Sequence, residues 1–97
     1  MKLDFNKNNG ELTVVIDGRL DTVTAPELES FLLDNCKGVS FLAFDCEKLE
    51  YISSAGLRVL LAAHKRMKGA MKLTGVNEQV MEVLEMTGFA DVWGVVR

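Results

Sequence analysis

The sequence predicts a small α/β sheet domain: an N-terminal β-hairpin followed by βα units, with helices packed on the sheet. Three observations carry this. Asn9-Gly10 separates two short runs with apolar residues, a strong hairpin signal. The apolar run Val39 to Phe44, closed by Asp45, has the pattern of a central strand covered on both faces, as in a parallel sheet. Between the strand-like runs, apolar residues recur at helical spacing, as crossovers joining parallel strands require.

Leu3 and Phe5 alternate with polar residues to form the first strand, and Leu12 to Ile16 resumes an apolar strand after the turn. Thr24-Ala25-Pro26-Glu27 has the form of a capping box with proline in the first turn, so a helix starts there. Leu28, Phe31, Leu32 and Cys36 keep its helical spacing, and Lys37-Gly38 supplies a charged end and a stop. The central strand follows, then a short loop to Ser53 and Ser54, where a second helix begins. At 100° per residue, Gly56, Val59, Leu60, Ala63 and Met67 form its core stripe. Ser54, Arg58, Leu61 and Lys65 line up on the opposite side, with Leu57 beside them. That outward ridge is the candidate working surface. Gly69 ends this helix, Met71 to Leu73 make a short strand, and Asn77 can cap a third helix with Val80, Val83, Leu84 and Thr87 on its inner face. Gly88 stops that helix, and a last strand lies within Phe89 to Val96, carrying Trp93. The expected order is β, β, α, β, α, β, α, β.

A chain of 97 residues is expected to form one domain over residues 1–97. Its net charge of −3 and pI near 5.1 argue against a nucleic-acid partner, whose binding needs clustered Lys and Arg. Arg58, His64, Lys65, Arg66 and Lys68 crowd one helix, and they read as charges that favour the negative end of its dipole and solvate its exterior. No apolar stretch approaches a membrane span, and no signal-peptide core precedes the first strand, so the expected location is cytoplasmic. Cys36 and Cys46 have no metal-type spacing and are expected to be two reduced thiols. No metal or cofactor site is expected.

The loops leaving the carboxyl ends of parallel strands share one edge, where ligands and partners usually bind. One such loop carries Asp21 and another carries Ser53 and Ser54, so they meet if their strands are neighbours. Ser53-Ser54-Ala55-Gly56 also reads as a helix cap and nothing more. A serine nucleophile is poorly supported, because Ile52 stands where the G-x-S-x-G elbow needs glycine before Ser54. His64, the only histidine, lies ten residues along the same helix, roughly 15 Å away at 1.5 Å per residue, and is expected at the surface. Asp45, Glu47 and Glu50 read as a solvated loop. Gly69, Gly75 and Gly88 are isolated and form no phosphate-binding loop.

The segment Asp45 to Leu60, DCEKLEYISSAGLRVL, resembles the signature of STAS domains, the anti-sigma factor antagonists and related domains of sulfate transporters. Gly18-Arg19-Leu20-Asp21 followed by Ala25 and Leu28 resembles that family's second landmark. The resemblance implies a non-enzymatic binding module in partner-switching control of transcription, with a serine at the start of the second helix phosphorylated by a partner kinase that doubles as an anti-sigma factor. Aligned through Gly56-Leu57, that serine is Ser54. It further implies that the unphosphorylated form binds the kinase and the phosphorylated form lets go, with a phosphatase as a further partner. Many members have aspartate before the phosphorylated serine and serine or threonine after it; here Ser53 and Ala55 take those places, which makes Ser53 the alternative target. The expected partner-binding residues are Asp21, Ser53, Ser54, Gly56, Leu57, Arg58, Leu61 and Lys65. Competing readings are a STAS module in a signalling assembly without a sigma factor, a small-ligand-binding domain, and a small hydrolase built on Ser54.

Overall fold

The structure, a computed structural model, describes every residue from Met1 to Arg97. Its elements are β1 (Lys2–Asn8), β2 (Glu11–Leu20), α1 (Ala25–Asn35), β3 (Phe41–Asp45), β4 (Leu49–Ile52), α2 (Ser54–Arg66), β5 (Met71–Thr74), α3 (Glu78–Met86) and α4 (Phe89–Val92). The hairpin forms as expected, with β1 antiparallel to β2 and Asn8 opposite Glu11 across the Asn9-Gly10 turn. All later strand pairs are parallel. The sheet runs β1-β2-β3-β5, with β4 beside the far end of β2.

The long second strand organises the rest. Its first half, Glu11 to Val15, pairs with β3, and its last residues, Gly18 to Leu20, pair with β4. The register shifts between Gly18 and Arg19, where Gly18 takes φ +108° and its N–H donates to the Lys48 carbonyl at 2.9 Å. Thus β2 reaches directly to the start of α2.

Two elements differ from the sequence expectation. The expected loop between the central strand and Ser53 contains β4, a four-residue strand too short to show a clear alternation. The expected final strand is mostly the helical turn α4, because Phe89 and Trp93, four residues apart, stack with ring centroids 4.4 Å apart at 3°. Only Val95 keeps strand character, in an isolated parallel bridge to Leu73.

The helices cover one face of the sheet, not both as the apolar run Val39 to Phe44 suggested. Leu12, Val14, Ile16, Leu42, Phe44, Met71 and Leu73 point into one core with Leu28 and Leu32 of α1, Leu60 and Ala63 of α2, and Val80 and Leu84 of α3. The alternate residues Val15, Phe41, Ala43 and Lys72 stand outside that core. Phe41 is only half-buried, with the Lys72 ammonium 5.8 Å from its ring, so a solvated face is what interrupts this strand's apolar logic. Helix caps also depart in part. Asn77 caps α3 by accepting from the Val80 N–H at 2.8 Å, as expected. Thr24 makes no side-chain cap on α1, since its hydroxyl oxygen accepts the Asp21 N–H at 2.9 Å and donates to the Arg19 carbonyl at 2.7 Å instead.

Candidate partner-binding site

The site assembles where β2, β4 and the start of α2 converge. Leu20 pairs with Ile52 in the parallel ladder, and the Leu20 carbonyl accepts the Ser53 N–H at 2.9 Å. The loop carrying Asp21 therefore leaves β2 beside the turn carrying Ser53 and Ser54, as the common-edge argument requires. Gly56 fits α2 against this junction. A Cβ there would lie 2.7 Å from the Leu20 Cγ and 3.0 Å from its carbonyl oxygen.

The two serines have different surroundings. Ser53 is the N-cap of α2, with extended backbone, and its Oγ accepts the Gly56 N–H at 3.3 Å. Ser54 is the first residue of α2, is exposed, and its hydroxyl makes no hydrogen bond. Sequence spacing alone could not separate these roles; the Ser53-to-Gly56 cap distance does.

Arg58 and Lys65 are exposed and Leu61 is half-buried, so the ridge Ser54, Arg58, Leu61 and Lys65 faces outward with Leu61 partly packed onto the core. Leu57 does not stand on that ridge. It is 8% exposed and belongs to the core, because α2 packs over a wider arc than the stripe drawn from its small and aliphatic residues. Gly56 is likewise buried and contributes close packing, not contact surface. Met67, placed in the stripe, is half-buried at the helix end. His64 is half-buried too, with its ring centroid 6.5 Å from that of Trp93, instead of free at the surface.

Asp21 sits at this edge but its carboxylate is occupied. Oδ1 accepts the Val23 N–H at 3.0 Å and the Thr24 N–H at 3.1 Å and, at 3.2 Å, shares with the Arg19 carbonyl the one proton of the Thr24 hydroxyl, while Oδ2 lies 3.9 Å from the Arg19 Nε. The Thr24 N–H, above all, holds its pKa below the ordinary value, against the opposing effect of desolvation; the Thr24 hydroxyl, the Val23 N–H and Arg19 add to the lowering. Arg19 in turn stacks over the Tyr51 ring at 4.4 Å, tying the loop to β4.

Between α1 and α2 lies a groove of 370 Å³ lined by Thr22, Ala25, Pro26 and Glu29 on one wall and Ala55, Arg58 and Val59 on the other. Thr22 stands in the turn before α1, while Pro26 and Glu29 lie three residues apart on the helix itself. No group of three or more His, Cys, Asp or Glu side chains is placed to hold a metal ion, and no helix is long and apolar enough to cross a membrane.

The STAS domain model matches residues 2–96. This chain belongs to the STAS domain family. A Bordetella bronchiseptica protein, BtrV, which carries the name anti-sigma factor antagonist, is 35% identical over 98% of this STAS chain and 85% of its own length. Among solved structures, a Thermotoga maritima protein of the same description superposes with a TM-score of 0.90 at 18% identity, covering 98% of this chain and 86% of that one. The Bacillus cell fate determinant SpoIIAA in its phosphorylated form superposes with a TM-score of 0.75 at 12% identity, over 99% of this chain and 92% of that one. The shared fold is the mixed sheet with helices on it that the hairpin and βα pattern predicted.

Proposed function

We propose that this STAS domain, acting as one unit over residues 1–97, is an anti-sigma factor antagonist of the cytoplasm whose binding is switched by phosphorylation of Ser54. In this reading the unmodified protein binds an anti-sigma factor that is also a serine kinase, and the phosphorylated protein releases it. A phosphatase restores the binding form. The family and the description of BtrV support the role, and SpoIIAA supports the modification, being a protein of this fold solved with phosphate attached.

The observation that carries the choice of Ser54 is its free, exposed hydroxyl at the first residue of α2, beside a Ser53 whose oxygen is engaged in the cap. In the transfer, the Ser54 oxygen would bond to the terminal phosphorus of a nucleoside triphosphate held by the kinase as the bond to the departing nucleoside diphosphate breaks, and its proton would pass to a base of the kinase. A phosphate adds about −1.5 to −2 charge, and a helix start favours anions by roughly 0.3 to 1 kcal/mol, so this fold tolerates the group. A hydrolase reading is disfavoured because no acid or base hydrogen-bonds Ser54, while His64 packs near Trp93. The contact surface in this reading is the ridge of Ser54, Arg58, Leu61 and Lys65, with Ser53 and Asp21 shaping its edge.

Mass mapping after incubation with the cognate kinase tests the assignment. Phosphate on Ser54 is expected; phosphate mainly on Ser53 would overturn it.

A further inference from the structure

Arg58 is an unpaired cation in a groove next to the regulated serine. Helix α2 carries Arg58, Lys65 and Arg66 and no Asp or Glu, whereas α1 across the groove carries Glu27, Glu29 and Asp34 and no Lys or Arg. These opposite charges do not neutralise one another. The two ion pairs of the structure are Arg19 with Asp21 and Arg97 with Glu85, so Arg58 and Glu29, which line the same groove, stay unpaired. Ser54 and Arg58 are both exposed and stand four residues apart on α2, the spacing at which helix side chains meet.

Resting on the reading of Ser54 as the phosphorylated residue, we propose that Arg58 is the group through which phosphorylation acts. In the unmodified protein it anchors an acidic side chain of the partner at the α1/α2 groove, and a phosphate on Ser54 captures it within the same helix.

The chemistry favours this exchange. A guanidinium binds a carboxylate or a phosphate through paired N–H donors, so one side chain serves both anions in turn. The phosphate carries more charge than a carboxylate and is held on the same helix, so it does not bear the cost of association that a partner's carboxylate does. The groove walls add selectivity. Ala25, Pro26, Ala55 and Val59 offer small apolar contacts beside Arg58, which suits an Asp or Glu flanked by small apolar residues. A segment basic throughout would meet Arg58, Lys65 and Arg66 along α2 with like charge.

The test uses chains with phosphoserine genetically encoded at position 54, in the wild type and in R58Q. Phosphorus NMR titration of the protein alone reads the second ionisation of the phosphate. The wild type should bind that proton about threefold or more weakly than R58Q, because a nearby cation favours the dianion. In titrations against the cognate anti-sigma factor, unmodified R58Q should bind about tenfold more weakly than the wild type, the scale of losing a hydrogen bond to a charged group, and phosphorylation should weaken it little further. Equal phosphate ionisation in the two chains would overturn the proposal, as would an equal fold-loss on phosphorylating either chain. An unmodified wild type that binds no anti-sigma factor sinks the functional reading instead, and the phosphorus titration judges the Arg58–phosphate pair independently of it.

Discussion

Gly56 and Leu20 touch so closely that α2 can begin only where β2 ends. A Cβ on Gly56 would stand 3.0 Å from the Leu20 carbonyl oxygen, which is fixed by accepting the Ser53 N–H at 2.9 Å. The backbone cannot yield without moving the serine turn. Gly56→Ala should therefore destabilise the fold by about 1 to 3 kcal/mol, as overpacking does, although alanine is the better helix former. Thermal unfolding checks this. A variant as stable as the wild type would mean that the junction between β2 and α2 is looser than described.

Leu60 and Leu61 are neighbours in sequence with different fates. Leu60 is fully buried, and Leu60→Glu should prevent folding, since an unpaired buried carboxylate costs several kcal/mol against a total stability of roughly 5 to 15. Leu61 is only partly covered, so Leu61→Glu should leave the protein folded with a lowered melting temperature and weaken partner binding. Circular dichroism and partner titration separate the two. Equal loss of folding in both variants would remove Leu61 from the outward ridge.

The difference between these leucines was legible in the sequence because a helix of 13 residues with a charged side announces its phase. Leu57 was not legible. It lies between the stripe and the ridge on the helical wheel, and only the packing of α2 against its neighbours decides that it is covered. The same limit hid β4 and α4, each four residues long, since neither gives a period enough repeats to be recognised. The hairpin and the Asn77 cap were readable, because turn chemistry constrains them locally, whereas the meeting of the Asp21 and Ser54 loops was readable only on condition that their strands were neighbours, and the strand that brings them together is β4.

Asp21 should behave as a turn residue whose charge helps to hold the fold. Its pKa is lowered in the fold, so its carboxylate stabilises the protein above the unfolded value of 3.8, and that contribution is lost as pH falls below 3.8 through the folded value. Asp21→Ala should lower the melting temperature at pH 7, and the gap from the wild type should close in strongly acidic buffer. Asp21→Asn keeps an acceptor for the Thr24 and Val23 N–H groups and should be the milder change. A gap that is constant with pH would show that the charge plays no part.

The cysteines differ in reactivity for the same reason that they differ in burial. Burial pushes the Cys46 thiol up to about 12, with the Asp45 carboxylate adding to the rise, and raises Cys36 more modestly. In native protein at pH 8, a thiol reagent should modify Cys36 slowly and Cys46 only after denaturant is added. Rapid labelling of both would contradict the burial of Cys46 in the core.

The central claim is that one phosphate on Ser54 switches binding while the fold stays as it is. Titration of the cognate anti-sigma factor with unmodified and Ser54-phosphorylated protein, alongside amide NMR spectra of both forms, tests it most directly. The account predicts an affinity loss of about tenfold or more, equivalent to about 1.4 kcal/mol, with shift changes confined to the start of α2 and the residues facing it. Unchanged affinity after complete phosphorylation would contradict it.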